Sequence, residues 1–385
     1  MSTITSKTRT KGFNEADIME AGCTDSLAGH DVYLNVRYVL KRADGILPAG
    51  SEVSYDQICL NEAALEPFMP SSGLPSYGVE DGLHVFYGDM TFDGAGSKRT
   101  APWKVVFDET AGTLASYELG EKMVIDEPLM PCFARASNEN DLGAGQDRRL
   151  AVWRNAEFKV SSFDVAKAEN YYVVTVAYEP IAEAAALKLT YEVYADGSVV
   201  LTESMTDAGK LAEMPMLPRF GLCFGMNGAY STLEFFGLGP HENYIDRASS
   251  ALMGHYVQRV EDQYHYGFVR PQESGTKTQL KWMRVMDDNG TGLEIRSDVK
   301  FSGSALPFHW KEMDVRVLGN NQAHSLELKK LAHENERSLG KTWVNVDIAQ
   351  MGLACINSWG AWPLEQHRIK AQPYEFRIVL APVNN

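Results

Sequence analysis

The chain has 385 residues, 44% of them hydrophobic and 10% aromatic, enough to bury a large core and to build two domains rather than remain disordered. Its formal charge of −15 and the lack of any basic run argue against nucleic acid and anionic membrane surfaces, which are recognised by clustered Lys and Arg. The five cysteines (Cys23, Cys59, Cys132, Cys223 and Cys355) are far apart and without CxxC spacing, so neither a disulfide framework nor a zinc site is indicated and a reducing compartment fits.

The N-terminus, MSTITSKTRTKGF, has no apolar core of the kind a secretory leader needs, and no later segment approaches the roughly 18 apolar residues of a membrane span. The expectation is a soluble, cytoplasmic chain whose residues 1–22 form a tail. From there the pattern is β. In DVYLNVRYVLK, strict alternation puts Val32, Leu34, Val36, Tyr38 and Leu40 on one face, and EVSYDQICL repeats the period. Residues 23–65 therefore read as an immunoglobulin-like sandwich, but a partial one, because such a domain takes about 100 residues. Its opening strands are expected to lie on a part of the protein outside this chain.

Residues 66–81 concentrate Pro, Gly and Ser and read as a linker. Residues 82–385 are again strand and turn. LKLTYEVYADGSVVLTESM is two alternating runs joined at Asp196-Gly197, and Asn289-Gly290 offers a second tight turn, since both dipeptides tolerate positive φ. The one helix-friendly patch, IAEAAALK, is short and runs straight into a strand. The fold class is all-β, and two large antiparallel sheets packed face to face would use a stretch of this length.

Four motifs in order give this region a family likeness: FARASNENDLG (133–143), FFGLGPHENYIDR (235–247), RPQESG (270–275) and TWVNVDIAQMGL with NSWG (342–360). Together they resemble the C-terminal domain of the β-galactosidases of glycoside hydrolase family two, over about residues 82 to 382, and LNVRYVLKRADGILPAGSEVSYDQICL resembles the end of the preceding immunoglobulin-like domain. The resemblance implies a β-supersandwich like that of galactose mutarotases, in either the small subunit of a two-chain enzyme or a C-terminal fragment of a longer one. It also implies hydrolysis of terminal β-D-galactosides with retention. Retaining glycosidases need two carboxyl groups about 5 to 5.5 Å apart, and the family carries both glutamates, with its Mg and Na ligands, on a (β/α)₈ barrel. No barrel pattern exists here, so no catalytic residue, metal ligand or cofactor is assigned to this chain. The implied partners are the barrel-bearing large subunit or N-terminal portion, a β-galactoside substrate and further copies in an oligomer.

Two segments are candidates for the site. In the family the tryptophan of the Ser-Trp pair reaches the barrel mouth and stacks on the sugar; Trp359 matches it. A flat ring on a loop can desolvate the C–H face of galactose while leaving its hydroxyls to polar neighbours. The competing reading is a tryptophan buried as a plug under the loop. Many relatives read Gly-Gly-Asp before Ser-Trp, where Ala354, Cys355 and Ile356 stand here, so the loop path is open to change. Trp362 has no family counterpart and is read as packing. The second segment holds Asn140, Asp141 and Gly143. In some relatives the loop that begins here closes over bound sugar, and Gly143 and Gly145 could be hinges; Asn140 and Asp141 are expected to be turn-formers bonded to nearby backbone.

In GPHENYIDR, His241 and Glu242 are an acid-base pair by type, but neighbours on an extended strand face opposite ways. Asn243, Asp246 and Arg247 are expected to tie a turn together with an ion pair. His84, His255, His265 and His309 read as surface or satisfied core histidines. Two rival functions stay open: a stand-alone aldose epimerase using a His and a Glu on a concave sheet, and a non-catalytic carbohydrate-binding module.

Overall fold

The computed structural model describes residues 29–69, 71–94, 97–319, 323–333, 340–354, 356–357 and 360–384, with the backbone alone at 93, 94, 97–99 and 330–333. The expected tail at 1–22, the first residues of the expected sandwich, and Trp359 lie outside the described residues. The chain divides into two compact units, Met1–Glu66 and Pro67–Asn385.

The first unit holds β1 (Val32–Val39) and β2 (Glu52–Asn61), paired antiparallel. Val32, Leu34 and Val36 are half-buried while Asn35 and Arg37 are exposed, the period that alternation requires. Tyr33, half-buried like its neighbours, and Tyr38, at 48% exposure, depart from it, and none of this unit's described residues is fully buried. A two-stranded hairpin cannot by itself enclose a core.

The second unit begins at Pro67 and is a 16-stranded antiparallel sheet folded on itself. Its strands are β3 (Ser76–Glu80), β4 (Leu83–Gly94), β5 (Ser97–Asp108), β6 (Thr113–Leu119), β7 (Lys122–Cys132), β8 (Val160–Lys167), β9 (Tyr171–Tyr178), β10 (Ala185–Tyr194), β11 (Val199–Asp207), β12 (Arg219–Asn227), β13 (Thr232–Gly239), β14 (Leu252–Arg259), β15 (Lys277–Met286), β16 (Thr291–Leu306), β17 (Lys341–Gln350) and β18 (Tyr374–Asn384). The stretch read as a linker, 66–81, thus contains a strand. Its Ser-Tyr-Gly-Val-Glu run pairs with β4 across Asp81-Gly82, both at positive φ (49° and 77°), the geometry that closes a two-residue hairpin. Density of turn residues marked the connection but hid the strand inside it.

The main path runs β3-β4-β5-β6-β7-β12-β17-β16-β18-β11-β10-β9-β8. β16 joins its two leaves: Thr291–Ser297 pairs with β18, and Ser302–Leu306 pairs with β17. Between those spans Asp298 and Val299 turn out to solvent. The leaves meet through aromatic contacts such as Phe107 against Tyr191 at 4.9 Å and Phe220 against Tyr374 at 5.1 Å. The turn at Asp196-Gly197 forms where expected, and Tyr117 and Trp103 donate to the carbonyls of Gly197 (2.6 Å) and Ala195 (3.1 Å). A Cβ at Gly197 would stand 2.9 Å from the Tyr117 hydroxyl and 3.0 Å from Trp103, so close approach as well as φ +85° requires glycine. Asn289-Gly290 is likewise a turn, tied by the Asp287 carboxylate accepting the N–H groups of Asn289 and Thr291. No helix among the described residues is long and apolar enough to cross a membrane.

Candidate functional site

Beyond the end of β7 the chain stays buried through Phe133–Asn138 and then forms a short helix, Glu139–Gly143. Asn138 caps it reciprocally: its side chain accepts the Asp141 N–H at 2.7 Å, and Asp141 accepts the Asn138 N–H at 3.2 Å. Asp141 is only 3% exposed and also pairs with Arg135, through Nη2–Oδ1 at 3.0 Å and Nε–Oδ2 at 3.2 Å. Burial opposes the charge on Arg135, but Asp141, with lesser help from Glu273 and Tyr244, more than offsets it, so the guanidinium pKa is raised and the group stays a cation.

The remaining Arg135 donors cross to the segment after β17. They reach the carbonyls of Met351 and of Gly352, the latter at 3.0 Å. Asn140 adds a bond to the Leu353 carbonyl at 3.2 Å. On the other side, Asp246 accepts the N–H groups of Leu353 and Ala354, both at 2.9 Å. A Cβ on Gly352 would stand 2.3 Å from an Asp246 oxygen, so the carboxylate occupies the space that this glycine leaves. Farther along, a Cβ on Gly360 would lie 2.2 Å from the Gly143 carbonyl carbon. The segments around 135–143, 246 and 351–354, with Gly360, therefore form one packed cluster.

This assembly brings Asn140 to Leu353, Asp141 to the Arg135 that holds Met351 and Gly352, and Gly143 to Gly360; Trp359, with Cys355 and Ser358, is outside the described residues. Asn140 and Asp141 differ from the simple turn-formers of the sequence reading. Asp141 does bond the nearby backbone, but its chief partner is a buried guanidinium, and Asn140 reaches a carbonyl 213 residues away. Gly143 closes a short helix and its backbone carries Gly360, while Gly145 takes φ +67°. Ala354 adopts φ 69°, a left-handed conformation usual for glycine. Trp362 is partly buried against the main core, with Arg149 over its ring at 5.8 Å.

In the GPHENYIDR turn, Asn243 behaves as expected, donating to the carbonyls of Leu238 (2.9 Å) and His241 (3.1 Å). The ion pair is different: Arg247 joins Glu242 at 3.2 Å, leaving Asp246 free to hold the 353–354 backbone. Glu242 also accepts from the Ser274 hydroxyl and the Gly275 N–H, both at 2.8 Å, whereas His241 bonds Ser250 at 2.9 Å. The two are committed to separate partners. His84 lies between Tyr77 and Glu109, and His255 bonds Glu234. Burial pushes His309 down to about 4, so it stays neutral and accepts the Lys311 N–H.

Sequence reasoning missed Arg135 and gave Asp246 a different role, although both, with Asp141, are the charged residues that organise the cluster. The Asn138-to-Asp141 spacing is a readable capping signal, but nothing local in the sequence marks the long-range partners. Among the described residues no group of three or more His, Cys, Asp or Glu is placed to hold a metal.

The family model and the curated relatives that match this chain agree on one family. Residues 99–380 match the family described as β-galactosidase small chain. A β-galactosidase of Halalkalibacterium halodurans is 29% identical over 366 residues, covering 94% of this chain and 33% of that protein. One from Priestia megaterium is 29% identical over 315 residues, with 81% and 28% covered, and one from Streptococcus thermophilus is 27% identical over 354 residues, with 91% and 31% covered. The chain thus spans about a third of the length of these relatives. Among solved structures, a galactose 1-epimerase from Lactobacillus acidophilus superposes with a TM-score of 0.39 at 8% identity, covering 78% of this chain and 99% of that one. A heparan sulfate lyase from Pedobacter heparinus gives 0.35 at 8% identity, covering 77% and 35%. With the family match extending from the third strand of the large sheet to the last, this chain belongs to the β-galactosidase small-chain family.

Proposed function

We propose that the chain is the small-subunit-like part of a β-galactosidase that hydrolyses terminal β-D-galactosides with retention, and that it furnishes one wall of a sugar site whose catalytic carboxylates lie on a barrel-bearing segment or partner. The observation that carries this reading is the cluster built by Arg135, Asn140, Asp141 and Asp246 around 351–354. It fixes residues 351–354, a few positions before Trp359 in the sequence, with hydrogen bonds that are charge-assisted at Arg135 and Asp246, which suits a segment that must present a ring accurately. Trp359 would stack on the apolar face of the sugar, and the 139–145 segment would border it. The two glutamates of the reaction, and the Mg and Na that family enzymes hold, would come with the barrel.

The test is reconstitution. The purified 385-residue chain is expected to leave a nitrophenyl β-galactoside intact, and addition of the barrel-bearing part is expected to restore turnover. Robust hydrolysis by the contaminant-free chain alone would overturn the division of labour.

A further inference from the structure

Away from the cluster, a cleft of about 680 Å³ opens beside the 240–242 turn, bordered by β14 and the 262–265 segment. Its size lies within the several-hundred-Å³ range typical of small-molecule sites. At its inner wall stands Lys277, the first residue of β15 and only 3% exposed. Its ammonium donates to two neutral acceptors, the Gln263 side-chain oxygen at 2.8 Å and the Gly275 carbonyl at 3.2 Å, and lies 5.9 Å from the Phe235 ring.

A buried cation normally finds an anion, because losing hydration is offset only by an opposite charge or several strong hydrogen bonds. Two carboxylates, Glu242 and Asp262, line the cleft, but the hydrogen bonds of the Lys277 ammonium go to Gln263 and Gly275 and to neither of them. Glu242 accepts from Ser274, Gly275 and Arg247, and Arg259, the other cation of the cleft, pairs with Asp288. Burial lowers Lys277 to about 8, with Glu242 the weaker, opposing influence. Gln263 is itself oriented, since its amide nitrogen donates to the Arg259 carbonyl at 3.0 Å and turns its oxygen to Lys277. Gln258, also on the wall, donates to the Pro240 carbonyl at 3.0 Å, and its side-chain oxygen is a buried acceptor without a hydrogen-bond partner. The cleft therefore combines an under-compensated ammonium with an unused acceptor, a pairing that calls for an oxyanion and a hydroxyl on one ligand.

We propose that this cleft binds a small hydroxylated carboxylate of sugar-acid size, its carboxylate paired with Lys277 and a hydroxyl donated to Gln258. Lys277 supplies charge selection and Gln258 distinguishes a hydroxy acid from a simple one. This ligand class is independent of the β-galactoside reading, because no residue of the cleft belongs to the cluster of 135–143, 246, 351–354 and Gly360.

Calorimetric titration of the 385-residue chain with potassium gluconate, acetate and galactose tests it. Gluconate is expected to bind more tightly than either comparator. Lys277→Met should weaken gluconate about tenfold or more, as expected for loss of a charged hydrogen bond. Gln258→Leu should weaken gluconate while leaving acetate unchanged. A thermal melt shows whether Lys277→Met folds; if it does not, Gln258→Leu and the ranking of the three ligands on the unaltered chain decide. No gluconate binding, galactose binding as tightly as gluconate, or indifference of gluconate to the folded variants would overturn the assignment.

Discussion

The Asp246 carboxylate accepts the backbone N–H of Ala354 at 2.9 Å, joining residues 108 positions apart and holding an alanine at φ 69°. The same carboxylate accepts Leu353 at 2.9 Å, so two adjacent peptide groups are fixed by one side chain. Left-handed backbone at a non-glycine residue costs about 1–2 kcal/mol, and these charge-assisted bonds offset it.

Removing that acceptor should loosen the loop before it affects the fold. Asp246→Ala is expected to cost about 1 kcal/mol, the lower end of the range for leaving donors unsatisfied, because both bonds are only partly buried. Hydrogen exchange should accelerate in 351–362 while β17 and β18 keep their protection. Equal acceleration throughout the second unit would show that Asp246 supports the whole sheet rather than the loop.

Asp141 should be the more damaging site. Its loss leaves Arg135 as a buried cation, with only carbonyl partners remaining. Breaking a buried pair from one side costs about 3–5 kcal/mol. Urea unfolding of Asp141→Ala should show a loss of that size, and a loss below about 1 kcal/mol, the range of exposed pairs, would mean that solvent reaches Arg135.

Gly360 tests whether contact with the 139–143 helix matters to the assembled enzyme. A methyl group there would meet the Gly143 carbonyl carbon at 2.2 Å and would also need φ +77°. If the chain serves the proposed β-galactosidase, Gly360→Ala should therefore move the backbone there and lower kcat/KM toward a nitrophenyl β-galactoside, with little change in the melt of the large sheet. Unchanged kinetics would separate this contact from the site.

If Trp359 forms part of the sugar platform, Trp359→Ala in the assembled enzyme should weaken substrate binding by about 1 to 3 kcal/mol and leave folding nearly intact. A buried plug would instead cost about 3–5 kcal/mol of stability. Melting curves and Michaelis constants measured together separate these outcomes. Trp362→Ala is the control, expected to affect stability more than kinetics because its ring packs on the main core.

Glu203 gives a pH signature. It is fully buried on β11, neither carboxyl oxygen has a hydrogen-bond partner, and burial, with lesser contributions from Cys132 and Asp347, holds its pKa well above 4.5. The folded state keeps this proton while the unfolded chain releases it above about pH 4.5, so the group destabilises the fold progressively as pH rises. The stability of Glu203→Gln relative to the unaltered protein should grow by about 1.4 kcal/mol per pH unit above 4.5, until folded Glu203 itself ionises. A flat difference between pH 5 and 7 would mean that the carboxyl is ionised in the fold.

What the sequence determined alone was local. Alternation at Val32–Val36, the turn dipeptides Asp196-Gly197 and Asn289-Gly290, and the ordered motifs of the family were legible because each depends on neighbours a few residues apart. The strand Ser76–Glu80 escaped because turn chemistry on both sides outweighed a five-residue alternation. The partner of Asp246 could not be read at all: as a turn residue it was expected to serve Arg247, and only the folded sheet brings Leu353 and Ala354 within reach. The same holds for Arg135 with Gly352 and for Lys277 with Gln263. A charged side chain carries no sequence signal for which distant carbonyl or carboxylate will compensate it, because burial and proximity arise only when the leaves of the sheet close.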